Sequence, residues 1–414
     1  MELNSIVFTK VRIPLENRRL DDIPAAVSAS FAVIEDRVRP GMRIAITCGS
    51  RGISNIALII KSLVSSVKAK GAEPFIVPAM GSHGGATAKG QAEVLRGYGV
   101  YEEAVGAPIV SSMEVVKLGT TKEPPHLPVY MDKNAYESDG VIVVNRVKAH
   151  TDFHGPHESG IVKMLTIGLG KHAQALAVHS YGVTGLRDYI PYVSQAVIDS
   201  GKIIGGLAIL EDGLDNTADI EIAPAEGIFE LDSRFLARSK ALMAQLPFSE
   251  LDVLVVDEMG KDYSGTGMDP NVIGRVSIDG QEDGKPHCRS ICVLGLSEAS
   301  HGNALGVGLA DVATKRLADS IDWPATRANV VTSGFLKRGA MPVTMETDRK
   351  AIELSLKTCG TGDIPDPRIV RIKNTLQLQE IYVSPALLGE LPPGSEIIKE
   401  TTFEFDEEGN IAPF

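Results

Sequence analysis

The sequence predicts an α/β protein of two domains with mainly parallel sheets, and three observations carry that reading. Apolar runs of strand length alternate with amphipathic helical stretches through the first half. The alternation restarts after Pro247 with LDVLVVDEMG, and 414 residues exceed what one hydrophobic core usually supports. Hydrophobic residues at 43% and charged residues at 23% fit a globular chain, with neither internal repeat nor low-complexity tail.

The elements follow in order. MRIAIT reads as a buried strand. The stretch ISNIALIIKSLVSSVKAKG then places Ile56, Ile59, Ile60, Leu63 and Val67 on one helical face, and PFIVPAM is a second strand. Further buried strands are expected at Gly140 to Asn145 and Ile203 to Leu210, with helices around Leu186 to Asp199 and Ala225 to Leu246. This βαβ order implies Rossmann-like sheets. The boundary is placed near Pro247 to Glu250, giving an N-terminal domain over 1–248 and a C-terminal α/β domain over 249–414. The second domain offers a strand at Ser290 to Leu296 and helices at Asp311 to Ile321 and Thr347 to Lys357, while the segment from about Lys399 could return to the first domain. An active-site cleft is expected between the domains.

Charge and composition exclude several classes. A net charge of −12 without a basic run argues against nucleic acid as a partner. The opening MELNSIVFTKVRIPLENRR lacks the apolar centre of a signal peptide, and no charge-free apolar run is long enough to span a bilayer, so a cytoplasmic protein without a membrane partner is expected. Cys48, Cys288, Cys292 and Cys359 have no paired zinc spacing and read as buried small hydrophobes.

The stretch TCGSRGIS, Thr47 to Ser54, stands where a strand hands over to a helix. Short-chain dehydrogenases carry a similar turn, but here Cys48 and Ser54 occupy places where that family needs glycine for close backbone approach to a pyrophosphate. None of the nine tyrosines has the lysine four residues later that such an enzyme uses. What survives is a phosphate-friendly turn, with backbone N–H groups at a helix start, Ser50 beside them and Arg51 able to grip a phosphate by two parallel hydrogen bonds. A tight turn with a solvated arginine fits the stretch equally well.

Five of nine histidines fall within the thirty residues His150 to His179, and His83 follows the strand PFIVPA inside the glycine-rich AMGSHGGAT. Imidazole titrates near neutrality and ligates borderline metals, so the cluster points to proton transfer, metal binding or both. His150, His154 and His157 suggest a zinc site, although Gly155 and Pro156 break any helix across them, so it would be borne on a loop. Lys163 stands among Ile161, Val162, Met164, Leu165 and Ile167, where desolvation would favour the neutral, nucleophilic amine. A lysine snorkelling from an amphipathic helix is the alternative.

Together these residues resemble the nickel-pincer lactate racemases and the wider group of 2-hydroxy-acid racemases and epimerases. Arg51, GSHGGAT around His83, HTDF at His150, ESGIVK at Lys163 and His179 carry the resemblance, in that order, with GTGMDPNVIGR (Gly265 to Arg275) as its main trace in the second domain. The resemblance implies a nickel-pincer nucleotide, a pyridinium mononucleotide bearing two sulfur arms that hold nickel. Lys163 would join one arm covalently, His179 would be the metal ligand, and Arg51 with Ser50 would face the phosphate. His83 and His150 would be the catalytic acid/base pair in a hydride-transfer inversion, with Asp152 orienting His150. Departures exist: Cys48 to Ser50 stand where the lactate racemases have an acidic residue, and their second-domain substrate contacts lack clean counterparts. Arg275 is the candidate partner of the substrate carboxylate and Lys261 the second, while a surface ion pair fits Arg275 equally well.

The expected activity is therefore that of an isomerase acting on a small 2-hydroxy acid. Its implied partners are that substrate and the enzymes that build the cofactor, with a homo-oligomer left open. Two alternatives stand beside it: a metal-dependent hydrolase or lyase using the His150/His154/His157 cluster, and a non-catalytic protein that binds a small carboxylate.

Overall fold

The computed structural model describes residues 6–50, 52–360 and 366–414. The chain divides into two units, Glu16–Met243 and a second made of Met1–Leu15 with Ala244–Phe414. The division falls a few residues before the expected boundary. It also assigns the start of the chain to the second unit, where the sequence reading had placed it in the first. The reason is strand pairing: Val7–Arg12 lies between Glu380–Val383 and Glu396–Thr402, antiparallel to both, so the final segment stays in the second unit and the first strand joins it there.

The larger unit is built on a five-stranded sheet. Its order is Glu73–Pro78, Arg43–Cys48, Gly140–Arg146, Ile203–Glu211, Thr217–Pro224. The first four are parallel and the last is an antiparallel edge. Alternation of side chains across the sheet builds two cores. Ile44, Ile46, Ile142 and Val144 enter one cluster, while Ala45, Val141 and Val143 enter the other. Helix Ile56–Ala69 buries Ile56, Ile59, Ile60, Leu63 and Val67 as expected, on the first of these faces. The expected helix over Leu186 to Asp199 opens with a π-helical turn, Gly185–Tyr189, before the α-helix Ile190–Asp199, and the next long helix, Ile228–Leu242, stops short of Leu246.

The smaller unit carries an eight-stranded mixed sheet. Five strands are mutually parallel, in the order Val343–Met345, Val312–Thr314, His287–Leu296, Glu250–Met259 and Ile369–Ile372; the antiparallel strands from the two chain ends follow. The expected helix over Asp311 to Ile321 is instead the short strand Val312–Thr314 followed by helix Lys315–Asp319. Val312 and Ala313 pair with Cys292 and Val293 in the buried sheet, which favours extended backbone there. Helix Asp348–Thr358 forms as expected, with the Thr347 hydroxyl accepting from Lys350 N–H. All four cysteines are buried thiols. No helix among the described residues is long and apolar enough to cross a membrane.

Candidate functional site

In the larger unit, chain order and sheet order part company between Arg43–Cys48 and Gly140–Arg146. One connection leads to the sheet edge on one side and the next leads to the other. Such a switch point opens a crevice beyond the carboxyl ends of the two strands. The loops after three adjacent parallel strands gather there: Gly49 and Ser50 after the first strand, residues 79–87 after the second, and residues 147–160 after the third. Contact is close. A Cβ on Gly49 would lie 2.9 Å from Met164 Cε and 3.5 Å from Asn145 Oδ1, so the first loop passes close to the end of the third strand and to the residue after Lys163.

His83 occupies the exposed turn after Glu73–Pro78, and its Nδ1 bonds the Ser50 hydroxyl. Tyr98 Oη donates to the Ser50 carbonyl at 2.7 Å, holding that loop from behind. Arg51 lies outside the described residues, so its expected grip on a phosphate has no structural account.

His150 is wired on every side. Its backbone N–H donates to Glu158 Oε2 at 2.6 Å, its ring lies 4.4 Å from that of Phe153, and Asp152 N–H donates to its Nδ1 at 3.0 Å. Its Nε2 stands 2.6 Å from Lys163 Nζ. Nδ1 accepts from the backbone, and which of Nε2 and Nζ donates across the other contact is set by the charge on Lys163. Burial, followed by the proximity of Lys163, pushes the His150 pKa down to about 3, against the opposing pull of Asp152 and Glu158. The near-neutral titration expected of an acid/base histidine is thus not met at His150 in the chain as it stands.

Lys163 ends the short helical turn Ile161–Lys163, after which a π-helical turn, Met164–Gly168, leads to helix Lys171–His179. π-Bulges often mark functional positions because the extra residue re-aims the side chains around it. His179 is the last residue of that helix. Although it is exposed, its pKa is lowered by desolvation first and by Lys163 second, with Asp152 opposing. Lys163, His150, Asp152 and His179 thus share one electrostatic neighbourhood.

The other two clustered histidines turn elsewhere. His154 Nδ1 meets Glu158 Oε1 at 3.4 Å, and His157 Nδ1 meets Asp232 Oδ1 at 3.0 Å. Together with His150 on Lys163, the three rings face three different partners. Among the described residues no group of three or more His, Cys, Asp or Glu is arranged to hold a metal ion. The loop-borne zinc site therefore draws no support from this geometry.

Two buried carboxylates escaped the sequence reading. Glu158 accepts from His150 N–H, from Gly155 N–H at 3.1 Å and from Lys240 Nζ at 2.6 Å. Burial raises its pKa, but these bonds and the His154 contact outweigh it and hold it below the usual carboxylate value. Asp232 accepts from Val162 N–H at 3.1 Å, next to Lys163, and from His157. The only signal for Glu158 was its place in the ESGIVK stretch. Nothing local marked Asp232, which arrives from helix Ile228–Leu242.

Arg275 and Lys261 belong to the smaller unit, and both are engaged there. Arg275 pairs with Asp311 at 2.5 Å and donates to the carbonyls of Leu309 and Cys288 at 3.1 and 2.9 Å. Lys261 Nζ donates to the Gly265 carbonyl and to Asn329 Oδ1 at 2.8 Å.

Residues 2–186 match the family model for the lactate racemase N-terminal domain. No curated protein matches the sequence. Among solved structures, the lactate racemase apoprotein from Thermoanaerobacterium thermosaccharolyticum superposes with a TM-score of 0.52 at 12% identity, over 89% of this chain and 98% of that one. At that identity the likeness speaks for the fold. The matched span holds Ser50, Arg51, His83, His150, Lys163 and His179. Over residues 2–186, then, the chain is similar to the lactate racemase N-terminal domain.

Proposed function

We propose that the protein is an isomerase, a racemase or epimerase of a small 2-hydroxy acid that works with a nickel-pincer nucleotide. The observation that carries this reading is the meeting of Lys163 with His150, within electrostatic reach of His179 and Asp152, inside the family-matched span. The donor set suits the group. His179, its pKa lowered, keeps a neutral ring nitrogen for a metal that favours imidazole beside soft donors. Lys163 Nζ faces His150 Nε2, a base placed to take the proton that attachment to an acyl-type arm requires the amine to lose. Ser50 and Arg51, at the start of a strand-to-helix connection, are assigned to the phosphate.

When bound, the nucleotide supplies reversible hydride acceptance. The chain's own residues manage the proton. His83 and His150 are assigned to the hydroxyl of opposite enantiomers, each taking the proton as the carbon becomes planar and returning it afterwards. The Ser50 contact pins His83 through Nδ1, so its acid/base work falls to Nε2. His150 can serve only once Lys163 has left its Nε2, which attachment of the lysine would accomplish. Arg275 is retained as the carboxylate partner, with Lys261 second; each would exchange a present contact for the substrate.

The test is protein produced together with the cofactor-building enzymes, screened against enantiopure 2-hydroxy acids, sugar acids included. Loss of optical rotation with hydrogen retained at the inverted carbon in heavy water is expected, along with a mass adduct on Lys163. Absence of any bound cofactor after such co-production would sink the reading. A tightly held but unlinked cofactor would remove only the lysine attachment.

A further inference from the structure

The helix that ends at His179 begins at Lys171, a lysine with no solvent exposure whose backbone is left-handed at φ 54°. A side-chain-bearing residue rarely adopts that conformation unless its surroundings fix it. Here they do. Lys171 Nζ donates to the carbonyl of Pro78, the last residue of the strand before the His83 turn, and to Gln91 Oε1 at 3.3 Å. It also lies 3.1 Å from Asp132 Oδ2, an ion pair between two wholly buried groups that is close in distance without being aligned as a hydrogen bond. Gln91, itself buried, turns its Nε2 to the carbonyls of Gly81 at 2.9 Å and His83 at 3.3 Å.

We propose that Lys171, Asp132 and Gln91 form a buried positioning network that sets the His83 turn against the helix carrying His179. Lys171 holds the strand end, Gln91 holds the turn's own carbonyls, and Asp132 neutralises the buried ammonium that links them. Turns are ordinarily the more mobile parts of a fold, and a ring used for proton transfer must be held in register with its partner groups. An isolated buried charge pair is a weak source of stability, which makes specification of one geometry the better account of its presence here. Desolvation lowers the Lys171 pKa, and the contact with Asp132 opposes that shift. The catalytic meaning of the network rests on the proposed role of His83; its structural action on the turn does not.

The experiment is an NMR titration of the histidine rings in full-length, cofactor-free protein. It compares wild type with Gln91→Met, which cuts the tether and keeps the ion pair, and with Lys171→Met/Asp132→Asn, which removes both buried charges together. His157, bonded to Asp232, serves as the internal reference. The expected result is a shift of about 0.5 pH unit or more in the His83 midpoint, or splitting of its signal, with His157 unmoved. His83 unchanged in both variants would overturn the proposal, and so would His83 and His157 moving together, since that reports general loosening. The readout needs neither cofactor nor turnover, so a failed racemase assay leaves it standing.

Discussion

His83 stands in an exposed glycine-rich turn with the Ser50 hydroxyl on its Nδ1, whereas His150 is part-buried between Phe153, Asp152 and Lys163, its backbone fixed by Glu158. Two residues assigned to one chemistry are thus held in opposite ways. The exposed ring depends on the placement of its turn. The more buried ring depends on the state of one amine, because its Nε2 already faces Lys163 Nζ at 2.6 Å. The lesson is that readiness for acid/base work is set separately on the two sides of the site.

Substitution of either ring by alanine gives the largest expected effect and sharpens the contrast. In cofactor-loaded protein each change should lower turnover by about 10²- to 10⁴-fold, the usual share of a general acid or base. Stability should distinguish them. His150→Ala deletes a packed, bonded ring and should cost about 2–3 kcal/mol in urea unfolding, while His83→Ala should stay within about 0.5 kcal/mol. Equal stability losses would break the comparison.

The second effect is pH-dependent. The folded His150 pKa lies below its ordinary 6.5, at about 3, so between those values the unfolded chain binds a proton that the folded chain refuses. Stability is therefore full above the ordinary value and falls as pH drops through the window, by about 5 kcal/mol at most. Lys163→Met removes the second cause and leaves burial, so the fall should shrink without vanishing. Urea midpoints at pH 7, 5.5 and 4, chosen to bracket the window, would check this. Identical slopes in the two proteins would show that the lysine has no part in holding His150 neutral.

The same contrast explains what could be read from the sequence. Parallel strands buried on both faces leave continuous apolar runs, so Arg43–Cys48, Gly140–Arg146 and Ile203–Glu211 were legible, and with them the strand ends where His83 and His150 sit. Edge strands leave no such trace. Glu396–Thr402 is exposed along almost its whole length, and its partner Val7–Arg12 is nearly four hundred residues away in the chain. Residues with chemistry of their own, the histidines and Lys163, declared themselves. Their supports did not, since Glu158, Asp232, Gln91 and Lys171 acquire meaning only through what reaches them in the fold: Lys240 from 82 residues away, the Pro78 carbonyl from 93.

Glu158→Gln probes the support of the buried side. An amide keeps one acceptor, yet its NH₂ must face donors in a site where His150 N–H, Gly155 N–H and Lys240 all converge. Losing charge-assisted bonds there should cost about 2 kcal/mol and shift the His150 loop, visible as faster amide exchange at His150 and Gly155. The exposed turn around His83 should exchange as before. A matching change in both loops would mean that the two sides are not independently held.

Ser50→Ala is the mildest test and the one most specific to the exposed side. It removes the hydroxyl from His83 Nδ1 and leaves the Ser50 carbonyl for Tyr98, so the loop path is retained. The residue is only half-buried, and a stability change beyond about 0.5 kcal/mol is not expected. Turnover should fall about tenfold, since a ring free to rotate spends less time with Nε2 in register. Because Ser50 is also assigned to the cofactor phosphate, binding must be separated from orientation. Cofactor occupancy read by nickel content should then remain near wild type while turnover falls. If occupancy and turnover fall in proportion, the hydroxyl serves the phosphate, and the orientation of His83 must come from the Gln91 side of its turn alone.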